Sequence, residues 1–282
     1  MSTMIDGKMV SQQLREQIKI ETAAFVEKTK VVPHLVVIIV GSDPASMTYV
    51  RNKKKACEAV GFKSTVIELA QDVSEAALLE QIQVLNEDET VHGILVQLPL
   101  PKHINEDQVI AAIDVKKDVD GFHPYQVGCL VAGLECLKPC TPAGIIELLK
   151  AYDIEMAGKH AVIIGRSHIV GKPMIQLLLD ENATVTVCHS RTKDLSTFTT
   201  MADLLIVAIG KPEFVTADMV KAGAVVIDVG INRLENGKLV GDVDFESVSS
   251  KASYITPVPG GVGPMTITML LHNTLEAAKR FR

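Results

Sequence analysis

Short apolar segments rich in β-branched residues recur along the chain and alternate with segments of helical spacing. The apolar segments cover residues 35–40, 64–69, 93–98, 161–164, 183–188, 204–209 and 224–229. Mostly apolar runs of this length are typical of short strands buried on both faces of a parallel sheet. The amphipathic segments predict helices over residues 8–29, 44–60, 74–86, 105–113, 142–152, 171–181 and 265–280. This alternation predicts an α/β fold with mostly parallel sheets flanked by helices.

The predicted strands and helices form two series, one before about residue 120 and one from about residue 160 to residue 230. The stretch between them, residues 122–143, is interrupted by Pro124, Gly128, Gly133, Pro139 and Pro142. Such a run of helix and strand breakers is typical of a domain boundary. Because 282 residues also exceed the usual size of one domain, we predict two domains with an active-site cleft between them.

Charge excludes two classes of partner. The chain carries a formal net charge of -6, whereas nucleic acids and anionic membranes select proteins with dense basic faces. The lysine run at residues 53–55 is the clearest basic cluster, and such a run is usually a solvated helix face. We therefore expect neither nucleic acid nor a membrane as a partner.

The start of the chain and its cysteines indicate a cytoplasmic protein. Residues 1–8 lack the apolar core of a secretory signal, and no apolar run approaches the roughly 18 residues of a membrane span. The five cysteines contain no C-x-x-C pair, which favours reduced, mostly buried thiols. We expect no metal site.

A glycine turn follows the apolar segment 161–164. Gly165, Arg166, Ser167 and Gly171 lead from that strand into the helix predicted at residues 171–181. Backbone N–H groups at such a turn, together with the start of the helix, can receive a pyrophosphate. Ser167 departs from the usual G-x-G-x-x-G pattern, so an ordinary strand-to-helix turn is the alternative. We interpret residues 161–179 as a dinucleotide site in a Rossmann-like domain.

The end of the next strand favours NADP over NAD. An acidic residue usually closes this strand in NAD sites, where it binds the ribose 2′-hydroxyl. Ser190 and Arg191 stand here instead, with Arg166 in the neighbouring turn, and a guanidinium suits a 2′-phosphate. The alternative is that Arg191 is merely solvated. The turns at residues 210–212 and 230–233 end the later strands, where such ligands also bind.

Tyr49 and Lys53 lie four residues apart on the helix predicted at residues 44–60, so they share one face. A Tyr-x3-Lys pair is also catalytic in short-chain dehydrogenases. In those enzymes the pair follows an N-terminal glycine motif, whereas here it precedes the glycine turn by more than a hundred residues. The order of the motifs therefore excludes that assignment.

Three further segments each have an ordinary structural explanation when taken singly. They are residues 96–101 around Gln97, residues 118–124 around Asp120, and the glycine-rich loop 259–266. Taken together and in order, with residues 5–8, 139–142 and 228–233, they closely resemble the bifunctional methylenetetrahydrofolate dehydrogenase/cyclohydrolase family of the bacterial type. The resemblance covers nearly the whole chain. His168, where the family commonly has Asn, is a departure within the cofactor loop.

The resemblance implies two consecutive reactions. NADP first takes hydride from the one-carbon bridge of 5,10-methylenetetrahydrofolate, and water then opens the methenyl product to 10-formyltetrahydrofolate. It also implies that Lys53 handles the proton in the hydrolysis, that Gln97 hydrogen-bonds and tunes Lys53, and that Tyr49 packs on the aminobenzoate ring. Asp120 is expected to bind the pterin edge. Relatives restricted to the dehydrogenase reaction lack the lysine, so Lys53 favours both activities.

Binding residues and domain edges follow from the same resemblance. The implied catalytic residues are Lys53, Tyr49, Gln97 and Asp120. The implied substrate-binding residues are Tyr49, Lys53, Val96, Gln97, Leu98, Asp120, Pro259, Gly260 and Gly263. The implied cofactor-binding residues are Gly165, Arg166, Ser167, Ser190, Arg191 and Ile231. We expect residues 1–138, joined by a C-terminal helix at 264–282, to form the catalytic, folate-binding domain, residues 139–263 the NADP domain, and the protein to be a homodimer.

Two other interpretations fit parts of the sequence. Another two-domain NADP oxidoreductase, such as a shikimate-type dehydrogenase, would reduce a keto acid and be indifferent to folates. A non-catalytic NADP-sensing module would bind the cofactor and leave Lys53 dispensable.

Overall fold

The structure is a computed structural model that describes residues 2–280. Its strands are β1 Thr3–Met4, β2 His34–Val40, β3 Lys63–Leu69, β4 Gly93–Val96, β5 His160–Ile164, β6 Thr184–Cys188, β7 Leu204–Val207, β8 Val225–Asp228, β9 Asn232–Arg233, β10 Leu239–Val240 and β11 Tyr254–Ile255. Its α-helices are α1 Gly7–Thr29, α2 Pro44–Ala59, α3 Glu75–Glu87, α4 Glu106–Ala112, α5 Pro124–Val131, α6 Cys140–Ala151, α7 Gly171–Asp180, α8 Leu195–Thr199, α9 Phe245–Ser249 and α10 Val262–Arg280. The predicted α/β class is confirmed.

The chain divides into two compact units. One comprises residues 1–12 and 141–266, and the other residues 13–140 and 267–282. The main division thus falls two residues after the predicted edge at 138/139. Residues 2–12 were predicted to belong with the N-terminal domain, but β1 pairs in parallel with β11 and so joins the other unit. Residue 1 and the last two residues of the predicted helix 264–282 lie outside the described residues.

The unit of residues 13–140 and 267–282 is built on a parallel three-stranded sheet in the order β3-β2-β4. The central strand β2 is buried at every position. Because neighbouring side chains on a strand point to opposite faces, Leu35, Val37 and Ile39 pack in one core with α2 and α10. Val36 and Ile38 pack in a second core with α3 and α4. Two buried faces explain the uninterrupted apolar run of β2.

The other unit carries a parallel six-stranded sheet in the order β1-β11-β8-β7-β5-β6. Strand order reverses at β5, because β6 follows it on one side and β7 lies on the other. In open α/β sheets, ligands bind outside the carboxyl ends of the strands at such a reversal. The turn after β5 therefore occupies the position expected for a nucleotide site.

Several local predictions need correction. The apolar runs at 93–98 and 204–209 were expected to be strands throughout, but β4 ends at Val96 and β7 at Val207. The stretch 122–143 was predicted to be a domain boundary without regular structure, yet α5 forms within it. Pro124 is compatible with this helix because it lies in the first turn, where the backbone N–H that proline lacks would have no partner inside the helix. Within residues 2–280, no helix combines the length and apolar character needed to cross a membrane.

Candidate active site

Lys53 is buried although its two lysine neighbours are exposed. Its side chain keeps only 7% of its accessible surface, whereas Lys54 and Lys55 face solvent. Helical spacing explains the difference, because Val50 and Cys57 lie three residues before and four residues after Lys53 on the buried face of α2. The run predicted to be a solvated face therefore contains one inward-pointing ammonium group.

Gln97 provides the hydrogen-bond acceptor for this ammonium group. Lys53 Nζ donates to Gln97 Oε1 at 3.1 Å. The amide nitrogen of the same side chain donates to the carbonyl oxygen of Leu98 at 2.7 Å, and the backbone N–H of Gln97 donates to Ile38 O at 2.8 Å. Gln97 comes directly after β4, at the carboxyl end of the small sheet. These bonds fix which end of the amide faces Lys53.

Charge and burial act in opposite directions on Lys53. Burial lowers its pKa, while the nearby carboxylate of Asp120 opposes the shift. The same burial raises the pKa of Asp120, which Lys53 in turn opposes. An ammonium group removed from water loses its proton more readily than a solvated one. Burial therefore favours the neutral amine of Lys53 more than water would, and Asp120 partly offsets this effect.

Tyr49 lies one turn before Lys53 on α2, as predicted, and is half-buried. Burial raises the pKa of its phenol, so this side chain is a neutral, partly apolar surface next to the lysine. Val96 is buried and Leu98 half-buried on either side of Gln97. The structure therefore groups the predicted residues of this unit around the carboxyl end of β4.

A network of buried polar groups surrounds the backbone next to Asp120. The sequence alone did not predict this network. Asn273 on α10 donates through Nδ2 to Val119 O and to Lys138 O, both at 2.9 Å. Cys140 Sγ donates to Val119 O at 3.3 Å. Asp118 accepts the backbone N–H of His123 at 2.8 Å, and burial raises its pKa to about 7. The Asp-x-Asp spacing at residues 118–120 was the available signal for the carboxylate pair.

The glycine turn after β5 is tightly packed. Gly165 has a φ of +126°, and a Cβ atom there would overlap Ala208 O. A Cβ atom on Gly171 would overlap Gly165 O. Ser167 Oγ accepts the backbone N–H groups of Val170 at 3.1 Å and Gly171 at 3.3 Å, at the start of α7. The glycines therefore let the backbone turn sharply into the helix.

The groups suited to phosphate are exposed around this turn. Arg166, Ser167, Ser190 and Arg191 all face solvent, and neither guanidinium forms an ion pair within residues 2–280. The backbone N–H of Arg191 donates to His189 Nδ1 at 3.1 Å, which holds the turn after β6. Exposed, unpaired guanidinium groups beside a helix start fit a phosphorylated dinucleotide.

The remaining predicted residues follow β8 and β11 in the same unit. Ile231 comes after β8 and its side chain is 44% exposed, which leaves an apolar surface available to a ligand. The loop at Pro259 begins with a cis peptide bond after Val258. Gly260 has a φ of +113° and its carbonyl oxygen accepts the N–H of Lys8 at 3.1 Å. Gly263 lies in the first turn of α10.

Comparison with family models decides the assignment. Residues 5–120 match the catalytic domain of tetrahydrofolate dehydrogenase/cyclohydrolase, and residues 139–282 match the NAD(P)-binding domain of the same enzyme. The chain belongs to the tetrahydrofolate dehydrogenase/cyclohydrolase family. The resemblance inferred from the motifs is confirmed. The comparisons do not support the two alternatives, a shikimate-type dehydrogenase and a non-catalytic NADP sensor.

Individual members of the tetrahydrofolate dehydrogenase/cyclohydrolase family are similar over their full length. The "Bifunctional protein FolD" of Campylobacter hominis is 61% identical over 276 residues, which cover 98% of this chain and 97% of that one. A crystal structure of the bifunctional enzyme from Campylobacter jejuni is 56% identical, with a TM-score of 0.96 and 99% of each chain covered. The Trypanosoma brucei enzyme, solved with NADP and an inhibitor, is 41% identical, with a TM-score of 0.95 and coverage of 99% and 98%.

Proposed function

We propose that the protein oxidises 5,10-methylenetetrahydrofolate with NADP and then hydrolyses the methenyl product to 10-formyltetrahydrofolate. The observation that carries this proposal is the buried ammonium group of Lys53 bonded to Gln97 Oε1 at 3.1 Å. A purely oxidative enzyme has no need for such a group, because hydride transfer leaves a cation that requires no base. Family membership supports both activities.

Lys53 handles the proton in the hydrolytic half. Water adds to the methenyl carbon, and as the new C–O bond forms, neutral Lys53 accepts the water proton. The C–N5 bond then breaks while its electron pair stays on N5, and the proton held by Lys53 passes to that nitrogen. As this bond breaks, the hydroxyl oxygen forms the formyl C=O, and its proton is released to water, so the positive charge of the methenyl cation leaves as H⁺. Burial already lowers the pKa of Lys53, and a cationic substrate nearby would lower it further. General base catalysis of this kind accelerates reactions by about 10²–10⁴-fold.

Gln97 keeps Lys53 in place without supplying a charge. Its Oε1 accepts from the lysine, and its amide nitrogen is already occupied by Leu98 O. A neutral acceptor orients the ammonium group but stabilises it less than a carboxylate would. We therefore assign to Gln97 the orientation and tuning of Lys53, as the family resemblance also implies.

Tyr49 and Asp120 serve to bind the folate. Tyr49 offers a half-buried ring one helical turn from Lys53, suited to stacking on the aminobenzoate ring. Asp120 offers a half-buried carboxylate that can accept hydrogen bonds from the N–H groups of a pterin. Val96 and Leu98 supply apolar surface beside Gln97, and Pro259, Gly260 and Gly263 supply backbone groups for the substrate.

The dehydrogenase half of the reaction uses the unit that carries the six-stranded sheet. NADP bound in this unit would supply the hydride acceptor for the one-carbon bridge of the substrate. The turn of Gly165, Arg166 and Ser167 would hold the pyrophosphate through backbone N–H groups and the start of α7. Ser190 and Arg191, with Arg166, would bind the ribose 2′-phosphate, and Ile231 would contact the nucleotide after β8.

Two finer expectations are included in the proposal. A homodimer is expected from the family resemblance, and sedimentation analysis of the purified protein would test it. A cytoplasmic location is supported by five cysteines that are all free thiols, because disulfides are rare in that compartment. Fractionation of the producing cell would test the location.

Two assays on the same preparation test the proposed function. The first supplies 5,10-methylenetetrahydrofolate and NADP and follows NADPH. The second supplies methenyltetrahydrofolate without any nucleotide and follows its conversion to 10-formyltetrahydrofolate by chromatography. Formation of both products is expected. NADPH without 10-formyltetrahydrofolate would remove the hydrolase from the proposal, and failure of both assays would reject it.

A further inference from the structure

A buried carboxylate that forms no ion pair with any residue of the described range 2–280 lies inside the nucleotide-binding unit. The side chain of Asp242, just after β10, is fully buried. Its Oδ2 accepts the backbone N–H groups of Ile209 at 2.7 Å and Gly210 at 2.9 Å. Its Oδ1 accepts the N–H of Lys211 at 2.8 Å and Nδ2 of Asn232 at 2.9 Å. Among residues 2–280, this charge is balanced by N–H dipoles alone.

Three of the four donors come from the loop after β7, and the fourth is the first residue of β9, which the loop after β8 precedes. Ile209, Gly210 and Lys211 follow β7, while Asn232 follows β8, and these strands are paired in parallel. Both loops therefore start at the carboxyl end of the sheet. The β7 loop also reaches the glycine turn after β5, where Ala208 O lies so close to Gly165 that a Cβ atom would not fit.

A second buried aspartate fixes Asp242 itself. Asp228, the last residue of β8, is 3% exposed. Its Oδ1 accepts the backbone N–H groups of Gly230 at 3.0 Å and Asp242 at 2.9 Å, and its Oδ2 accepts that of Val243 at 2.9 Å. The carboxylate of Asp228 thus ties the chain before β9 and after β10 to the end of β8.

The neighbouring glycines show that this arrangement is closely fitted. A Cβ atom on Gly230 would overlap the carboxylate of Asp242, and one on Gly241 would overlap that of Asp228. Only a backbone without side chains can approach these carboxylates so closely. Burying a charged side chain raises the free energy of the folded protein by several kcal/mol unless the charge is fully hydrogen-bonded. A neutral side chain could hold the same backbone at a lower cost, so the charge of Asp242 points to a role beyond structure.

We propose that Asp242 is a positioning residue for NADP binding. By holding the loop of Ile209, Gly210 and Lys211 and the start of β9 at Asn232 in one arrangement, it prepares the surface on which the nucleotide lies. Loops ordered in advance need not lose conformational entropy when the ligand binds. This inference rests on the proposed function, because it concerns NADP, and it assigns no contact between Asp242 and the nucleotide.

Asp242→Asn is the variant that tests the inference. The amide keeps the size of the side chain but replaces one acceptor with an N–H₂ group that opposes two backbone donors. We expect amide hydrogen exchange at residues 209–211 to become faster. We also expect the Kd for NADP, measured by calorimetry on the free protein, to rise about tenfold or more, as for loss of a charge-assisted hydrogen bond. Hydrolysis of methenyltetrahydrofolate, which needs no nucleotide, is expected to stay within about twofold of wild type.

Two further variants complete the experiment. Asp244→Asn is the matched control, since Asp244 only caps α9 through Ser247 N, and it should bind NADP as the wild type does. Asn232→Ala removes one donor and leaves Asp242 with three, and it should raise the Kd about threefold, the effect of one modest hydrogen bond. It keeps the inference testable if Asp242→Asn does not fold.

The outcomes separate this inference from the proposed function. Wild-type-like NADP binding by Asp242→Asn, with hydrolysis intact, overturns the role of Asp242 and leaves the proposed function standing. If Asp242→Asn loses both hydrolysis and its folded structure, unchanged NADP binding by Asn232→Ala overturns the role. Failure of the wild-type protein to bind NADP overturns the proposed function and this inference together.

Discussion

The ammonium group of Lys53 donates to Gln97 Oε1 at 3.1 Å, and Gln97 can present only that oxygen because its amide nitrogen donates to Leu98 O. The bond joins a buried helix position to the residue that follows a buried strand. It gives the lysine a fixed direction while burial lowers its pKa. The first two predictions test this pair.

Replacing Lys53 with Met should abolish hydrolysis of methenyltetrahydrofolate. The substitution removes the proton acceptor but keeps an unbranched apolar chain in the buried position, so we expect a rate loss of about 10²-fold or more. Chromatographic measurement of 10-formyltetrahydrofolate at steady state checks it. The exposed neighbour Lys54→Met is the matched control and should keep the wild-type rate. Retained hydrolysis in Lys53→Met would remove this lysine from its role.

Replacing Gln97 with Glu should move the hydrolytic activity to higher pH. A carboxylate beside Lys53 stabilises the protonated ammonium group and raises its pKa, so the neutral base appears only at higher pH. The pH profile of methenyltetrahydrofolate hydrolysis should therefore shift by about one unit or more. Spontaneous hydrolysis at each pH must be subtracted. An unchanged midpoint, with a uniformly lower rate, would show that Gln97 does not tune Lys53.

Replacing Arg191 with Ala should weaken NADP binding much more than NAD binding. The exposed guanidinium is proposed to pair with the 2′-phosphate, which NAD lacks, and loss of a charged hydrogen bond corresponds to about a tenfold to hundredfold change in Kd. Calorimetric titration with each nucleotide measures the two affinities. NAD serves as the internal control. Equal weakening for both nucleotides would contradict the assigned contact.

The raised pKa of Asp118 predicts that the free energy of unfolding depends on pH. Its folded-state pKa is raised to about 7 from the usual value of 3.8, so between these values the folded protein holds a proton that the unfolded chain has released. The free energy of unfolding therefore falls as pH rises through this window. Relative to Asp118→Asn, which cannot titrate, the wild type should lose on the order of a few kcal/mol. Urea unfolding of both proteins across that range measures this, and parallel curves would count against it.

The main strands and helices could be predicted because each is encoded locally. Residues 35–40 of β2 and 225–227 of β8 are uninterrupted apolar runs, and α2 begins with Asp43 as its cap and Pro44 in its first turn. The two-residue strands β1 and β11 could not be predicted, since their pairing joins residues about 250 positions apart and two residues carry no periodicity. Helix α5 was missed because Pro124 and Gly128 resemble loop residues.

The candidate site residues were predicted from three kinds of signal. Helical spacing from Val50 and Cys57 distinguishes buried Lys53 from its exposed neighbours. The strand-turn-helix context indicated the glycine turn, and the family resemblance implied roles for Gln97 and Asp120. Asn273 and Asp242 gave no such signal, because each acts through backbone groups of distant segments. Hydrogen bonds of this kind depend on tertiary contacts rather than on spacing along the chain.

The central claim is that NADP oxidises the one-carbon bridge of a folate bound by this protein. The direct measurement uses 5,10-methylenetetrahydrofolate deuterated on that bridge, mixed with the protein and NADP, followed by mass spectrometry of the reduced nucleotide. The account predicts that the nucleotide carries one deuterium and that unlabelled substrate yields none. Reduced nucleotide without deuterium, or no reduction at all, would contradict it.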